Sequence, residues 1–306
     1  MSTSRRTFLK KGTLAVAGAA LFSNEIFAAS KPSTILGIQL YSVRDDMKKD
    51  PLATLKQISD IGYKYVEHAG YGYRKFYGKY SATEFKKILD DLGLKMKSGH
   101  TSMGTADWDE TKNDFTDKWK NTVEDAAVVG QAYVISPWLD VSYRKNVDDL
   151  KRFLQVFNKS GELCKKSGMK FGYHNHDFEF SQQFDGKKVF DIILENTDPS
   201  LVAQQLDIGN MYQAGGIALD IVKQYPGRFE LMHVKDEIKT DKKGEMDGGY
   251  DSTILGKGII PVKEIVDLGK KSGGTVHFII EQESYQGMAP IDTVKEDYEI
   301  MRKWGY

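Results

Sequence analysis

Apolar positions along this chain switch repeatedly between two periods. The stretch Ile35–Tyr41 is apolar enough for a buried strand, and after Asp50 the spacing becomes that of a helix. Asp50 is placed to cap that helix, Pro51 to open it and Gly62 to end it, with Leu52, Leu55, Ile58 and Ile61 on the inward stripe. Tyr65–His68 is extended again. Ser81 with Glu84 three residues later makes a capping box for a helix carrying Phe85, Ile88, Leu89 and Leu92, stopped at Gly93. The same rhythm predicts strands at Leu94–His100, Ala132–Ser136, Met169–His174, Val202–Leu206, Phe229–Val234 and Val276–Glu281. Helices are predicted at Phe115–Val129, Asn146–Lys166, Val189–Asn196, Leu219–Gln224, Pro261–Lys271 and Asp292–Trp304. Strand and helix alternate with no low-complexity linker or charge block between them. The pattern predicts an α/β fold: a single-domain (β/α)8 TIM barrel over residues 30–306. An open doubly wound sheet would carry fewer units and a glycine-rich first turn, which is missing here.

Residues 1–29 follow a different rule. Ser4-Arg5-Arg6-Thr7-Phe8-Leu9-Lys10 leads into an apolar run from Gly12 to Phe22 and a small-residue stretch at Phe27–Ser30. A charged start, an apolar middle and a small-residue end make an export signal. The paired arginines point to the twin-arginine route into the periplasm, which carries folded proteins. The apolar run is about half of the ~20 residues that span a bilayer, so no stable membrane anchor is expected. The chain has 43 basic and 43 acidic residues, and this leader holds Arg5, Arg6, Lys10 and Lys11 against Glu25. The remainder is therefore slightly acidic, which argues against a nucleic-acid partner. A lone cysteine, Cys164, excludes an internal disulfide.

In a barrel of this kind, chemistry gathers at the carboxyl ends of the strands. Those ends are unusually polar here. Strand two ends in Glu67-His68, strand three in His100, and strand five runs into His174-Asn175-His176-Asp177-Phe178-Glu179. Strand six meets Asp207, strand seven His233-Val234-Lys235-Asp236, and strand eight Glu281-Gln282-Glu283. Five of the six histidines lie at such ends; His277 is inside strand eight. Carboxylates from strands five, six and eight and an imidazole from strand seven can converge on one divalent cation. Mixed oxygen and imidazole donors without thiolate suit Mn, Fe, Co or Zn, with Mg also open. The expected ligands are Glu179, Asp207, His233 and Glu281. His174 and His176 compete with Glu179 for the strand-five position. Asp207 can equally cap a helix at Ile208-Gly209-Asn210.

The stretches Gly37–Arg44, Tyr173–Phe180, Leu206–Asn210, His233–Asp236, Leu255–Gly258 and Ile280-Glu281 resemble the xylose-isomerase-like TIM barrel superfamily. The branch they look most like is the sugar phosphate isomerase/epimerases, and the likeness runs from Ile35 to Trp304. In ketose 3-epimerases of that superfamily a Glu, Asp, His and Glu bind one divalent metal and the two glutamates move the proton. Asp207, His233 and Glu281 match the last three positions, whereas His-Asn-His-Asp-Phe-Glu stands where a plain glutamate strand is expected. Endonuclease IV shares the fold, but the histidines that bind its extra zinc ions are replaced here by Asn210 and Thr253. Members of the superfamily are often dimers or tetramers, so the resemblance implies a homo-oligomer.

The resemblance implies an enolising enzyme. A divalent ion that holds a sugar carbonyl and the adjacent hydroxyl makes the C–H between them acidic. Glu281 paired with Glu179 or His176 is expected to move the proton, with Lys235 beside the developing oxyanion. Gln39, Glu67, His68, His100 and His174 are expected to bind substrate hydroxyls. An exported protein does not meet sugar phosphates, and no arginine-rich or glycine-rich phosphate cradle is evident. The expected substrate is a non-phosphorylated keto-sugar, and the expected reaction isomerisation or epimerisation. Inosose dehydratase-like members carry histidines after strand five, so a 3-keto-glycoside lyase or hydratase is the main alternative. A non-catalytic sugar-binding barrel is the other.

Overall fold

Eight parallel strands close into a barrel, each hydrogen-bonded to its neighbours in chain order and the last to the first. They are β1 (Ile35–Gln39), β2 (Tyr65–His68), β3 (Lys95–His100), β4 (Tyr133–Ser136), β5 (Lys170–His174), β6 (Val202–Asp207), β7 (Leu231–Val234) and β8 (His277–Ile280). This computed structural model describes residues 34–306, and the expected twin-arginine leader lies outside them. The (β/α)8 barrel expected from the sequence is therefore observed, with each strand within two residues of its predicted bounds. Among the described residues no helix is long and apolar enough to cross a membrane.

Local signals act as expected. Asp50 accepts the Ala53 N–H, Pro51 opens helix Pro51–Ile61, and Ser81 with Glu84 forms the full capping box of helix Ala82–Asp91. Leu52 departs from expectation: it is 48% exposed, while Pro51, Thr54, Leu55 and Ile58 form the buried stripe. Residues 51, 54, 55 and 58 are the i, i+3, i+4, i+7 set, and Leu52 sits about 100° off it. Short hairpins not predicted from the sequence decorate the carboxyl face, among them Tyr71–Phe76 and the pair Asp236–Lys239 with Tyr250–Thr253. Cys164 is buried and unpaired.

Inside the barrel a small apolar cluster of Tyr133, Ile135, Ala203, Leu231 and Ile279 fills one layer. Side chains two residues apart on a strand share a face. Ala203 is thus followed inward by Gln205 and Asp207, Leu231 by His233, and Ile279 by Glu281. The polar site is the next layer of the same packed interior.

One buried carboxyl outside that site limits stability. Asp297, on helix Pro290–Lys303, accepts the Leu255 N–H at 2.9 Å through Oδ1, while its Oδ2 has no partner. Burial pushes its pKa up to about 8, against ~3.9 in an unfolded chain. A raised folded-state value means stability is full below the unfolded pKa and is lost as pH climbs through the folded one. Asp297→Asn keeps the accepting oxygen and removes the ionisation. It is expected to melt a few degrees above wild type at pH 8, with the gap closing towards pH 4; thermal melts across that range check this.

Candidate active site

The floor of the site is built on one carboxylate. Glu67, fully buried at the end of β2, accepts Gln39 Nε2 at 2.8 Å and His233 Nε2 at 2.7 Å on Oε1, and Gln205 Nε2 at 2.8 Å on Oε2. His100 Nε2 stands 3.0 Å from Oε1. Burial opposes ionisation of Glu67, but the neighbouring imidazoles of His100 and His233 outweigh it and hold the carboxyl well below its usual range. Gln205 extends the network: its Oε1 lies 2.7 Å from His100 Nε2 and 3.1 Å from His174 Nδ1. Parallel register brings these groups together, pairing Gln39 with Glu67, Gln205 with His174, and Asp207 with His233.

Above this floor His174, Asp207, His233 and Glu281 form a buried group whose donor atoms all lie within 4.8 Å of one another. Each is aimed by a second contact. His233 bonds Glu67 through Nε2, so Nδ1 is left facing Glu281 Oε2 at 3.1 Å and Asp207 Oδ2 at 3.6 Å. His174 bonds Gln205 through Nδ1, which assigns the lone pair to Nε2, where the Asn210 amide stands 3.4 Å away. Asp207 Oδ1 accepts the N–H groups of Gly209 and Asn210 at 2.9 and 2.6 Å, closing the turn that leads into the short helix Asn210–Gln213, whose N-cap is Gly209. Its Oδ2 is buried without a hydrogen-bond partner. One oxygen of Asp207 thus closes the turn after β6 while the other is left over for a ligand. Two imidazoles and two carboxylates, one with an orphaned buried oxygen, fit a divalent transition metal. Orienting partners behind ligating histidines are the usual second layer of such sites.

Several expected residues stand elsewhere. Glu179 does not join the group. β5 ends at His174, and the chain turns into the short helix Phe178–Ser181, which occupies Glu179 with the Tyr173 hydroxyl and the His176 N–H. Burial raises its carboxyl to about 7. His174 takes the position for which Glu179 was expected. Lys235 is wholly buried and does not line the cavity; its Nζ lies 2.5 Å from Glu283, 3.0 Å from Asn210 Oδ1, 3.2 Å from Glu245 and 3.9 Å from Glu281. It braces Glu281 and Glu283 from behind. Gln39 and Glu67 lie in the floor network, and His68 is buried edge-on against Phe76, so none of the three lines the cavity.

His100, His174, His176 and Glu281 do line it, in a cavity of about 890 Å³ that opens at the carboxyl face. His176 Nδ1 has no protein partner, and burial pushes the imidazole down to about 3, so it stands neutral. Gln205, Asn175 and Asn210 were missed in the sequence. Asn175 clamps the Asp207 backbone through both its amide atoms, at 3.0 and 3.1 Å. The signal for Gln205 was a pair of glutamines inside an otherwise apolar strand.

The family model for the Xylose isomerase-like TIM barrel matches residues 55–304. The chain belongs to this family. An inosose dehydratase from Clostridium perfringens is 29% identical over 173 residues, 52% of this chain and 56% of that protein. The chain thus spans little more than half the length of that relative. A crystal structure of a sugar phosphate isomerase/epimerase from Parabacteroides distasonis aligns with a TM-score of 0.74 at 24% identity, over 90% of this chain and 96% of that one. The crystal structure of an IOLI protein with a zinc atom aligns with a TM-score of 0.66 at 14% identity, over 88% of this chain and 97% of that one.

Proposed function

We propose that this barrel is a metal-dependent enzyme that enolises a non-phosphorylated keto-sugar and eliminates a group β to the carbonyl, as a lyase or hydratase. The observation that carries the choice is the position of Glu179. With His174 in its place, Glu281 is the one glutamate in the metal-binding group, whereas epimerisation by two facing glutamates needs a second. Relatives named inosose dehydratase support the same outcome.

His174, Asp207, His233 and Glu281 would hold a divalent ion, which would supply the positive charge that acidifies a C–H next to a carbonyl. Glu281 is placed to take that proton; His233 and Lys235 hold it ionised despite burial. The C–H electrons form the new double bond, the β C–O bond breaks, and the departing oxygen takes a proton from Glu281 directly or through His176. Arg74 and Lys118, the cations that line the cavity, are already paired with Asp125, Glu124 and Asp107. That leaves no free cationic cradle for a phosphate in the cavity lining. Export by the leader would put this chemistry in the periplasm, among free sugars and glycosides.

The test is turnover of keto-sugars and 3-keto-glycosides in deuterium oxide by the metal-loaded protein. Release of the β substituent with an unsaturated product is expected. Deuterium entering a recovered isomer without release would replace elimination by isomerisation. No exchange with any keto-sugar would leave a sugar-binding barrel.

A further inference from the structure

The cavity is lined by more than the polar group at its base. Its outer wall carries Tyr41, Tyr73 and Trp138, which are 42%, 94% and 41% exposed. They are the exposed aromatic side chains among the described residues, and all three face this one cavity. Rings left in water elsewhere would be scattered; these are collected at a single mouth.

Trp138 and Tyr41 are held by neighbouring side chains, and Tyr73, whose ring stands in solvent, is carried on a braced hairpin. Trp138 stands edge-on to His176 at 5.6 Å and to Phe178 at 5.9 Å. Arg44 lies 4.8 Å over the Tyr41 ring and is itself anchored by the Tyr285 hydroxyl and the Glu283 carbonyl, at 2.8 and 3.1 Å. Tyr73 sits at the tip of hairpin Tyr71–Phe76, where Tyr73 and Arg74 both have left-handed backbone, with φ of 52° and 61°. Such turns normally take Asn-Gly, so two large side chains there carry strain. The hairpin is held in that shape by Arg74 bonding Asp125 and Asn121, at 2.8 and 2.6 Å, and by the Tyr71 hydroxyl bonding Asp125 at 2.7 Å.

We propose that Trp138, Tyr73 and Tyr41 form a second subsite that stacks on a ring joined to the reacting sugar, so that the substrate class is a ring-bearing glycoside rather than a free monosaccharide. This rests on the reading of the buried group around Glu281 as the reacting end. His176 lies between the two halves, touching Trp138 on one side and His174, at 5.0 Å, on the other. A group leaving from the reacting sugar would pass into the aromatic half. The stacking ring can be a second sugar or an aromatic aglycone, which share a flat apolar face.

Binding of phenyl glucoside, cellobiose and methyl glucoside to the metal-loaded protein tests this without turnover. The phenyl glucoside or the disaccharide is expected to bind at least about tenfold more tightly than the methyl glucoside, and the larger gain identifies the ring. Trp138→Ala combined with Tyr73→Gly is expected to erase that gain. Glycine adopts the left-handed backbone freely, so the hairpin keeps its shape while the ring is lost. Equal affinities in the wild type, or a gain that survives the double variant, would overturn the proposal. A ring preference in a protein that turns over no keto-glycoside would instead sink the enzymatic reading and leave the subsite standing.

Discussion

Asp207→Asn and His233→Ala should each strip the protein of bound metal, from about one ion per chain to near none, with turnover falling at least about 100-fold. The two variants fail for different reasons. In Asp207→Asn the amide oxygen would still accept the Gly209 and Asn210 N–H groups, so the turn after β6 survives while the charge of the orphaned Oδ2 is gone. Removing His233 deletes a donor and also leaves Glu67 Oε1 without its 2.7 Å partner. Asp207→Asn should therefore melt close to the metal-free wild type, and His233→Ala below it. Metal analysis beside thermal melts separates the two effects. Variants that retain wild-type metal would remove the ligand assignment and, with it, the proposed elimination.

Glu67→Ala is expected to have the largest effect on stability. It leaves the side-chain amides of Gln39 and Gln205 and the Nε2 atoms of His100 and His233 facing a void in the barrel interior. Breaking a buried charged network from one side costs about 3–5 kcal/mol, on the order of 10 °C in melting temperature for a domain of this size. Glu67→Gln is the informative companion. It fills the same volume but gives His233 an uncharged partner, so His233 is held less firmly in the tautomer that presents Nδ1. Metal affinity should fall about 10–100-fold with a much smaller loss of melting temperature. Titration with Zn or Mn against melting curves reads both quantities. If Glu67→Ala melts like wild type, the floor network is not what positions His233.

The barrel was legible because its signals are local. A capping aspartate, a proline at the first helical position and a capping box act within one turn of helix, and period-two and period-3.6 stretches report burial wherever the chain goes. The strand ends were legible for the same reason, and Asp207, His233 and Glu281 come from three of them to one group. Glu179 was not, because one turn of helix after β5 decides whether a side chain five residues past the strand faces the mouth or the wall. Glu67 and Gln39 were expected to meet substrate, yet they meet each other and Glu67 meets His233, since the layer a residue occupies depends on the shear of the closed sheet rather than on its distance from a strand end.

The sequence by itself determined the eight units, their order and the set of polar groups delivered to one face, because periodicity and capping are written within a few residues. The tertiary structure alone decided that His174 replaces Glu179, that Gln205 ties His100 and His174 to Glu67, and that three exposed rings share one cavity. Those outcomes depend on the register between strands and on loops that meet only after the barrel has closed, which no local pattern encodes.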